Sequence, residues 1–244
     1  MKPRLTASGD QCLIVEFGET IDLDVNAQAL AFARRVARAA LPGVVDIVPS
    51  HVGVGIHYRV EAVDTRAGEI PFDALARALG GLLRGKADEI AEASRLIDIP
   101  VCYGGRHGED LDTTAATLGF GVDAMVALLA VTELRVLMIG FAPGQPYLGM
   151  LDPRLSIPRR STPRTRVPAG SVATANGQVT VYPFELPGGW HLLGRTPLAL
   201  FNRTRSDDPC LLRPGDRVRF VPIEEAAFDA TCAAMEPDTS GGRN

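Results

Sequence analysis

A chain of 244 residues is long enough for one large domain or two small ones, each with a core of its own. With 46% apolar and 22% charged residues and a net charge of −4, the composition is that of an ordinary globular chain. It excludes a general attraction to nucleic acid or to an anionic membrane, so any anion binding must be local. No apolar run reaches the roughly eighteen residues of a membrane span, and the N-terminus lacks the apolar stretch of a secretory signal, so a cytoplasmic protein is expected. Cys12, Cys102, Cys210 and Cys232 have no CxxC spacing, which points to buried free thiols and away from a disulfide framework or a metal site.

In chain order, Cys12 to Phe17 is a β-rich run, and Asp24 is placed to cap a helix reaching Leu41 with Ala29, Ala33, Val36 and Ala40 on one face. Pro42 and Gly43 stop it. Val44 to Val48 and His51 to Tyr58 read as two strands joined at Pro49 and Ser50. Pro71 opens a second helix to Arg84, with Leu75 and Leu79 inward. A strand from Leu96 to Cys102 then completes a βαββαβ order, the arrangement of a ferredoxin-like α+β domain over residues 1–102. Gly80 to Ala87 matches GxxxxGK, but Ala87 stands where a magnesium-binding hydroxyl is required, and a helix C-cap at Gly85 accounts for it.

Tyr103 to Asp110 (YGGRHGED) is a glycine-rich hinge. Helices are expected at Leu111 to Leu118, where Asp110 and Asp112 serve as caps, and at Val122 to Val131, followed by a strand at Arg135 to Ile139. From there to Ile223, short strands punctuated by turns fit a closed, mainly-β barrel over residues 103–225, with 226–244 a partly disordered tail. Within it Arg159, Arg160, Arg164 and Arg166 crowd between Pro158, Pro163 and Pro168. Either they share a small anion, which guanidinium forks suit, or they are spent on ion pairs. In an extended strand Arg164 and Arg166 share a face. Pro187 to Trp190 is a tight turn ending in the single tryptophan; Tyr147 and His191 have either ligand or packing roles, and Ser171 reads as a turn serine.

The blocks GFAPGQPYLGMLD (Gly140 to Asp152), PRRSTPRTRVPAGSV (Pro158 to Val172), PGGWHLLGRTPLALF (Pro187 to Phe201) and PGDRVRFVPI (Pro214 to Ile223) stand in a family order. The chain resembles the B-subunit family of 5-oxoprolinase, also called allophanate hydrolase subunit 1 or the KipI family, of carboxyltransferase subdomain C and D type. GDQCLIVEFGE, VVDIVPS and IPVCYGG extend the resemblance over nearly the whole chain. It implies a ferredoxin-like domain followed by a cyclophilin-like barrel. It also implies work with a homologous C subunit and with an A subunit, to open a cyclic amide with ATP and Mg2+. Arg159, Arg164, Arg166 and His191 are the catalytic residues it implies, with Gln145, Tyr147, Gly188, Gly189, Trp190 and Arg195 contacting a small anionic or amide substrate.

Two other readings accompany that resemblance, inhibition of a sensor histidine kinase and a carboxyltransferase component of a urea-carboxylase-like system. The chain departs from the family pattern at Gln145, where phenylalanine is common, at Leu129 and Leu134, in the stretch Ala175 to Thr180, and at Leu186. These departures imply a divergent member and leave open a substrate other than 5-oxoproline.

Overall fold

Hairpins between neighbouring segments build the first half of the chain. Strands β1 (Arg4–Ala7) and β2 (Cys12–Glu16) lead into helix α1 (Leu23–Ala39), followed by β3 (Val44–Pro49), β4 (Gly53–Tyr58) and helix α2 (Pro71–Arg84). The sheet is antiparallel in the order β1-β2-β4-β3. Its alternation turns Leu13, Val15, Val54 and Ile56 into one core with Ala29, Phe32 and Val36 of α1 and Leu75 and Leu79 of α2. The helix is capped two residues before the expected position. Asp22 has extended backbone, and its Oδ1 accepts from the N–H groups of Asp24 and Val25 at 2.8 and 3.1 Å. Asp24 instead sits in the first turn, where its charge meets the positive end of the helix.

The expected fourth strand of this sheet goes elsewhere. The segment β5 (Leu96–Tyr103) belongs to the second half, and the place beside β2 is taken by Arg4–Ala7, which the sequence pattern did not mark. The expected βαββαβ order therefore gives way to ββαββα. A hairpin across four residues closes cheaply, so β1 fills the edge that a distant strand was expected to fill. The chain divides into two compact units at Met1–Ser94 and Arg95–Asn244, not after residue 102. The computed structural model describes residues 3–84, 94–149, 151–205 and 208–235.

In the second unit, helices α3 (Leu111–Thr117) and α4 (Val122–Val131) follow β5 close to their expected bounds. Then come β6 (Leu134–Ile139), β7 (Pro146–Gly149), β8 (Arg164–Val167), β9 (Ser171–Ala175), β10 (Gln178–Val181), β11 (Leu186–Gly188), β12 (His191–Arg195), β13 (Arg217–Pro222) and helix α5 (Glu225–Met235). Seven strands close into a barrel in the order β10-β7-β6-β13-β5-β12-β9, and the β9–β10 hairpin seals the ring. The mainly-β barrel read from the sequence is therefore formed. The long parallel pairing of β5 with β13, from Leu96 opposite Arg217 to Val101 opposite Pro222, is what draws β5 here.

Period-two alternation gives the barrel wall two apolar faces. Val136, Leu148, Val172, Val179, Leu193 and Phe220 fill the interior, together with Met125 and Leu129 of α4. Outside, the ribbon of β8 and β11 covers a second cluster of Val167, Ala173, Ala175, Tyr182, Trp190 and Leu192.

Residues 226–235, expected to belong to a tail, lie in α5; the expected disorder of 236–244 falls outside the described residues, as does the Gly85 to Ala87 end of the GxxxxGK match. All four thiols are free, but only Cys102 is buried, the other three being half-exposed. No single helix among the described residues is long and apolar enough to cross a membrane. Replacing the N-cap, Asp22→Ala, is expected to cost about 1 kcal/mol in urea unfolding of the chain, whereas Asp24→Ala costs less than half of that.

Candidate active site

The glycine-rich hinge explains how the site is assembled. Gly104 and Gly105 turn the chain with φ of +69° and +51°. Gly108 then passes so close to β12 that a Cβ there would lie 2.0 Å from the Leu193 carbonyl oxygen. This contact delivers Asp110 to the backbone of Leu192: the Asp110 N–H donates to the Leu192 carbonyl at 3.0 Å, and the Leu192 N–H donates to Asp110 Oδ2 at 2.8 Å.

Asp110, 5% exposed, is where the arginines converge. Arg164 donates from both Nη atoms, each at 2.8 Å, and Arg160 donates from Nη1 at 2.9 Å. Glu109 adds a contact to Arg164 at 3.3 Å. Burial pushes the Asp110 pKa up, but the hydrogen bonds from Arg164 and the Leu192 N–H, with the charges of Arg164 and Arg160, outweigh it and hold the carboxyl below its ordinary value. The expected capping role is corrected here. Asp110 stands at the N-cap of α3 but makes no side-chain capping bond, because its oxygens are spent on the arginines.

The arginine cluster thus divides between the two readings of the sequence. Arg160 and Arg164 are structural ion pairs. Arg166 turns outward, 76% exposed, and pairs with Glu185 at 2.7 Å, so the strand does not bring it to Asp110 with Arg164. Arg159 has no carboxylate partner among the described residues and lies over the Trp190 ring at 5.7 Å. The guanidinium groups of Arg159, Arg160 and Arg164 stand against the carboxylates of Glu109 and Asp110, which leaves a positive charge over. Beside them is a pocket of about 440 Å3 whose lining includes Pro158, Arg159, Arg160, Ser161 and His191.

His191 donates from Nε2 to the Pro158 carbonyl at 3.0 Å, which leaves Nδ1 as the lone-pair nitrogen. Trp190 meets Tyr147 edge-on at 5.9 Å. Gly188 lies against buried Tyr182, whose hydroxyl would be 2.1 Å from an added Cβ; burial pushes the Tyr182 pKa up to about 12. Gly189 has room for a Cβ, and its carbonyl accepts from the Arg160 N–H at 2.8 Å.

Gln145 is buried; its Nε2 donates to Thr180 Oγ1 at 3.2 Å, and Oε1 has no hydrogen-bond partner among the described residues. Arg195 is directed to other neighbours, donating to the Ala169 carbonyl at 2.7 Å and lying over Phe228. Ser171 is a buried strand residue opening β9, directly after a turn at Gly170. Asp110 is the residue of this cluster that sequence reasoning missed. Its signal was an acid in a glycine-rich loop followed, some fifty residues on, by more arginines than solvation requires.

The sequence and the fold both match known proteins. The family described as carboxyltransferase domain, subdomain C and D, matches residues 3–212. The chain is 37% identical over 225 residues to the B subunit of 5-oxoprolinase from Bacillus subtilis (strain 168), covering 91% of this chain and 93% of the relative. The chain belongs to this family. It is also similar to the B subunit of 5-oxoprolinase from Escherichia coli O157:H7, at 39% identity over 89% of this chain and 94% of the relative. Among solved structures, TTHA0988 is similar with a TM-score of 0.75 and 38% identity, covering 88% of this chain and 40% of that one. This family member therefore spans well under half of the TTHA0988 chain.

Asp110→Asn leaves two guanidinium groups facing a neutral amide and is expected to lower stability by about 3 kcal/mol at neutral pH. Because the folded pKa is depressed, that contribution is present above the unfolded value of about 3.9 and is lost as pH falls through the lower folded value. Urea unfolding from pH 7 to pH 3 should show the gap between wild type and variant closing at the acid end. Gly188→Ala drives a methyl group into Tyr182 and is expected to cost about 1–3 kcal/mol, whereas Gly189→Ala stays within about 0.5 kcal/mol of wild type in the same measurement.

Proposed function

We propose that this chain is the B subunit of an ATP-dependent, 5-oxoprolinase-type hydrolase that opens a cyclic amide together with its C and A subunits. The near end-to-end match to two proteins named as the B subunit of 5-oxoprolinase carries this reading. The barrel is read as cyclophilin-like in shape, with no prolyl isomerase activity inferred.

The chemistry of the pocket supports a small anionic amide as ligand. Its surplus positive charge suits a single carboxylate, and Arg159, held over Trp190, is the group free to take it. Arg160 and Arg164, fixed by Asp110, need no reorganisation to add their field to a developing oxyanion. His191 offers a lone pair at Nδ1 for the proton moved on ring opening. Trp190, buried beneath Arg159 and edge-on to Tyr147, holds that guanidinium from outside the residues that line the pocket.

Nucleotide does not fit this cluster. A triphosphate would meet the Asp110 carboxylate between the two paired arginines, and Arg166 is engaged with Glu185. We therefore assign ATP and Mg2+ to the assembled complex.

The reading is tested by co-expressing the chain with the C and A subunits and following coupled release of ADP and glutamate from 5-oxoproline. Arg159→Ala is expected to raise KM about tenfold or more, because a charge-assisted contact to the substrate is worth roughly 1.5–3 kcal/mol. Arg166→Ala is expected to remain within about twofold of wild type, as an exposed pair contributes little. A stable complex that turns over another cyclic amide and ignores 5-oxoproline would keep the reaction class and change the substrate. Loss of activity in Arg166→Ala with Arg159→Ala unaffected would overturn the assignment of the pocket.

A further inference from the structure

A second cavity, of about 710 Å3, is lined by the glycine-rich hinge, by α3 and α4, and by the residues that enter α5. Neither Asp110 nor Arg159, Arg160 or Arg164 lines it. Its volume lies in the range of small-molecule sites. Val122 and Val126, one turn apart on α4, give it an apolar wall together with Leu111 and Ile223.

Two of the lining residues carry a buried polar atom that has no hydrogen-bond partner among the described residues, the Tyr103 hydroxyl and His107 Nδ1. His107 is only 7% exposed, and its ring packs on Phe228 with 4.4 Å between ring centres. Arg106 fixes its tautomer, because Arg106 Nε can only donate and stands 3.2 Å from His107 Nε2. Nε2 therefore holds the lone pair and Nδ1 the hydrogen. Burial, and then the charge of Arg106, pushes the His107 pKa down, so the ring stays neutral. A buried N–H without an acceptor carries its whole desolvation cost, and an oxygen entering the cavity would remove it.

The exposed part of the lining has the opposite charge to the arginine pocket. Asp112, Asp123 and Glu224 are exposed there, and none of the three has an ion-pair partner among the described residues. Arg106, the arginine of the lining, is already paired with Glu225 and with Asp229. Three unpaired carboxylates favour a cation and repel an anion.

We infer that this cavity is a second ligand site, which takes a small organic cation: a primary ammonium on a short apolar stem that also bears an oxygen acceptor, as in an amino alcohol. The ammonium meets Asp112, Asp123 and Glu224, the stem lies along Val122 and Val126, and the oxygen accepts from His107 Nδ1 and the Tyr103 hydroxyl. The same carboxylates reject the small anion that suits Arg159. His107 stands three residues before Asp110 in one hinge, and Leu111 of the cavity follows Asp110 directly, so an occupant here braces the loop that carries the arginine network.

Calorimetric titration of the full chain with L-leucinol tests the site, since this probe joins an ammonium, a hydroxyl and an isobutyl stem. Saturable one-to-one binding is expected, at least about fivefold stronger than that of 4-methylpentan-1-ol, which lacks the ammonium, or of 3-methylbutylamine, which lacks the hydroxyl. The exposed triple variant Asp112→Asn, Asp123→Asn, Glu224→Gln should bind L-leucinol about fivefold more weakly or worse. Tyr103→Phe removes a hydroxyl that has no partner, so this variant should melt no lower than wild type while its affinity falls about threefold or more. His107→Phe keeps an aromatic ring against Phe228 and should weaken binding similarly. Arg159→Ala should bind as wild type does. No saturation by about 10 mM L-leucinol overturns the inference. So does wild-type affinity in the triple variant and in both ring variants, which puts the probe elsewhere. Loss of binding in Arg159→Ala, or tighter binding of 4-methylpentanoate than of L-leucinol, overturns it as well.

Discussion

The Asp110 carboxylate takes four hydrogen bonds, three from Arg160 and Arg164 and one from the Leu192 N–H, while its own N–H returns a bond to Leu192. Through these bonds the hinge after β5, the arginine-bearing loop, β8 and β12 are held at one point. A buried carboxylate without them would be a large cost, and so would two part-buried guanidinium groups. Each group is tolerated because the others are there. The close passage of Gly108 over Leu193 makes the arrangement possible, since any side chain at that position would push the hinge off the strand.

With Arg160 and Arg164 committed to this network, the charge of the cluster without a carboxylate partner among the described residues is that of Arg159, stacked on Trp190 beside the pocket that His191 helps to line. The outer apolar cluster supports this arrangement mechanically. Across the strands, Tyr147, Thr180, Ala173 and Leu192 stand opposite one another in register, which puts them in one row on the same face of the wall. Trp190 and Tyr182 close over that face, and the ribbon of β8 and β11 lies on it. A site built on this platform inherits the rigidity of the barrel although its charged groups come from loops. Gln145 adds a buried amide beside this row, and its bond to Thr180 gives that amide a fixed orientation.

Local chemistry accounts for what could be read before any coordinates. The helices at Leu23–Ala39, Pro71–Arg84 and Val122–Val131 announce themselves by apolar spacing, by Pro71 at a helix start and by Pro42 after a helix end. The succession of short strands and turns after Leu134 indicated a closed barrel for the same reason. Pairing between segments far apart in sequence left no such mark. β5 has the look of a strand wherever it lies, and nothing in its residues states that it pairs in parallel with Arg217–Pro222. β1 is too short and too polar to stand out from the terminus, and α5 lacked a strong enough apolar stripe to separate it from the polar end that follows.

The same division holds for the site. The sequence by itself determined the residue types and the stiffness of their setting: a run of arginines between prolines, a Gly-Gly-Trp-His turn, and a glycine-rich loop ending in an acid. Those are properties of single residues and near neighbours, namely dihedral range, charge and size. Only the tertiary structure decided that Arg164 turns to Asp110 and Arg166 to Glu185, and that Arg159 lies over Trp190 with no carboxylate partner among the described residues. Side chains of one type within eight residues are equivalent until a folded surface gives each a different partner. Which partner each receives depends on strand register and on contacts spanning 19 to 54 residues, and no local pattern carries that information.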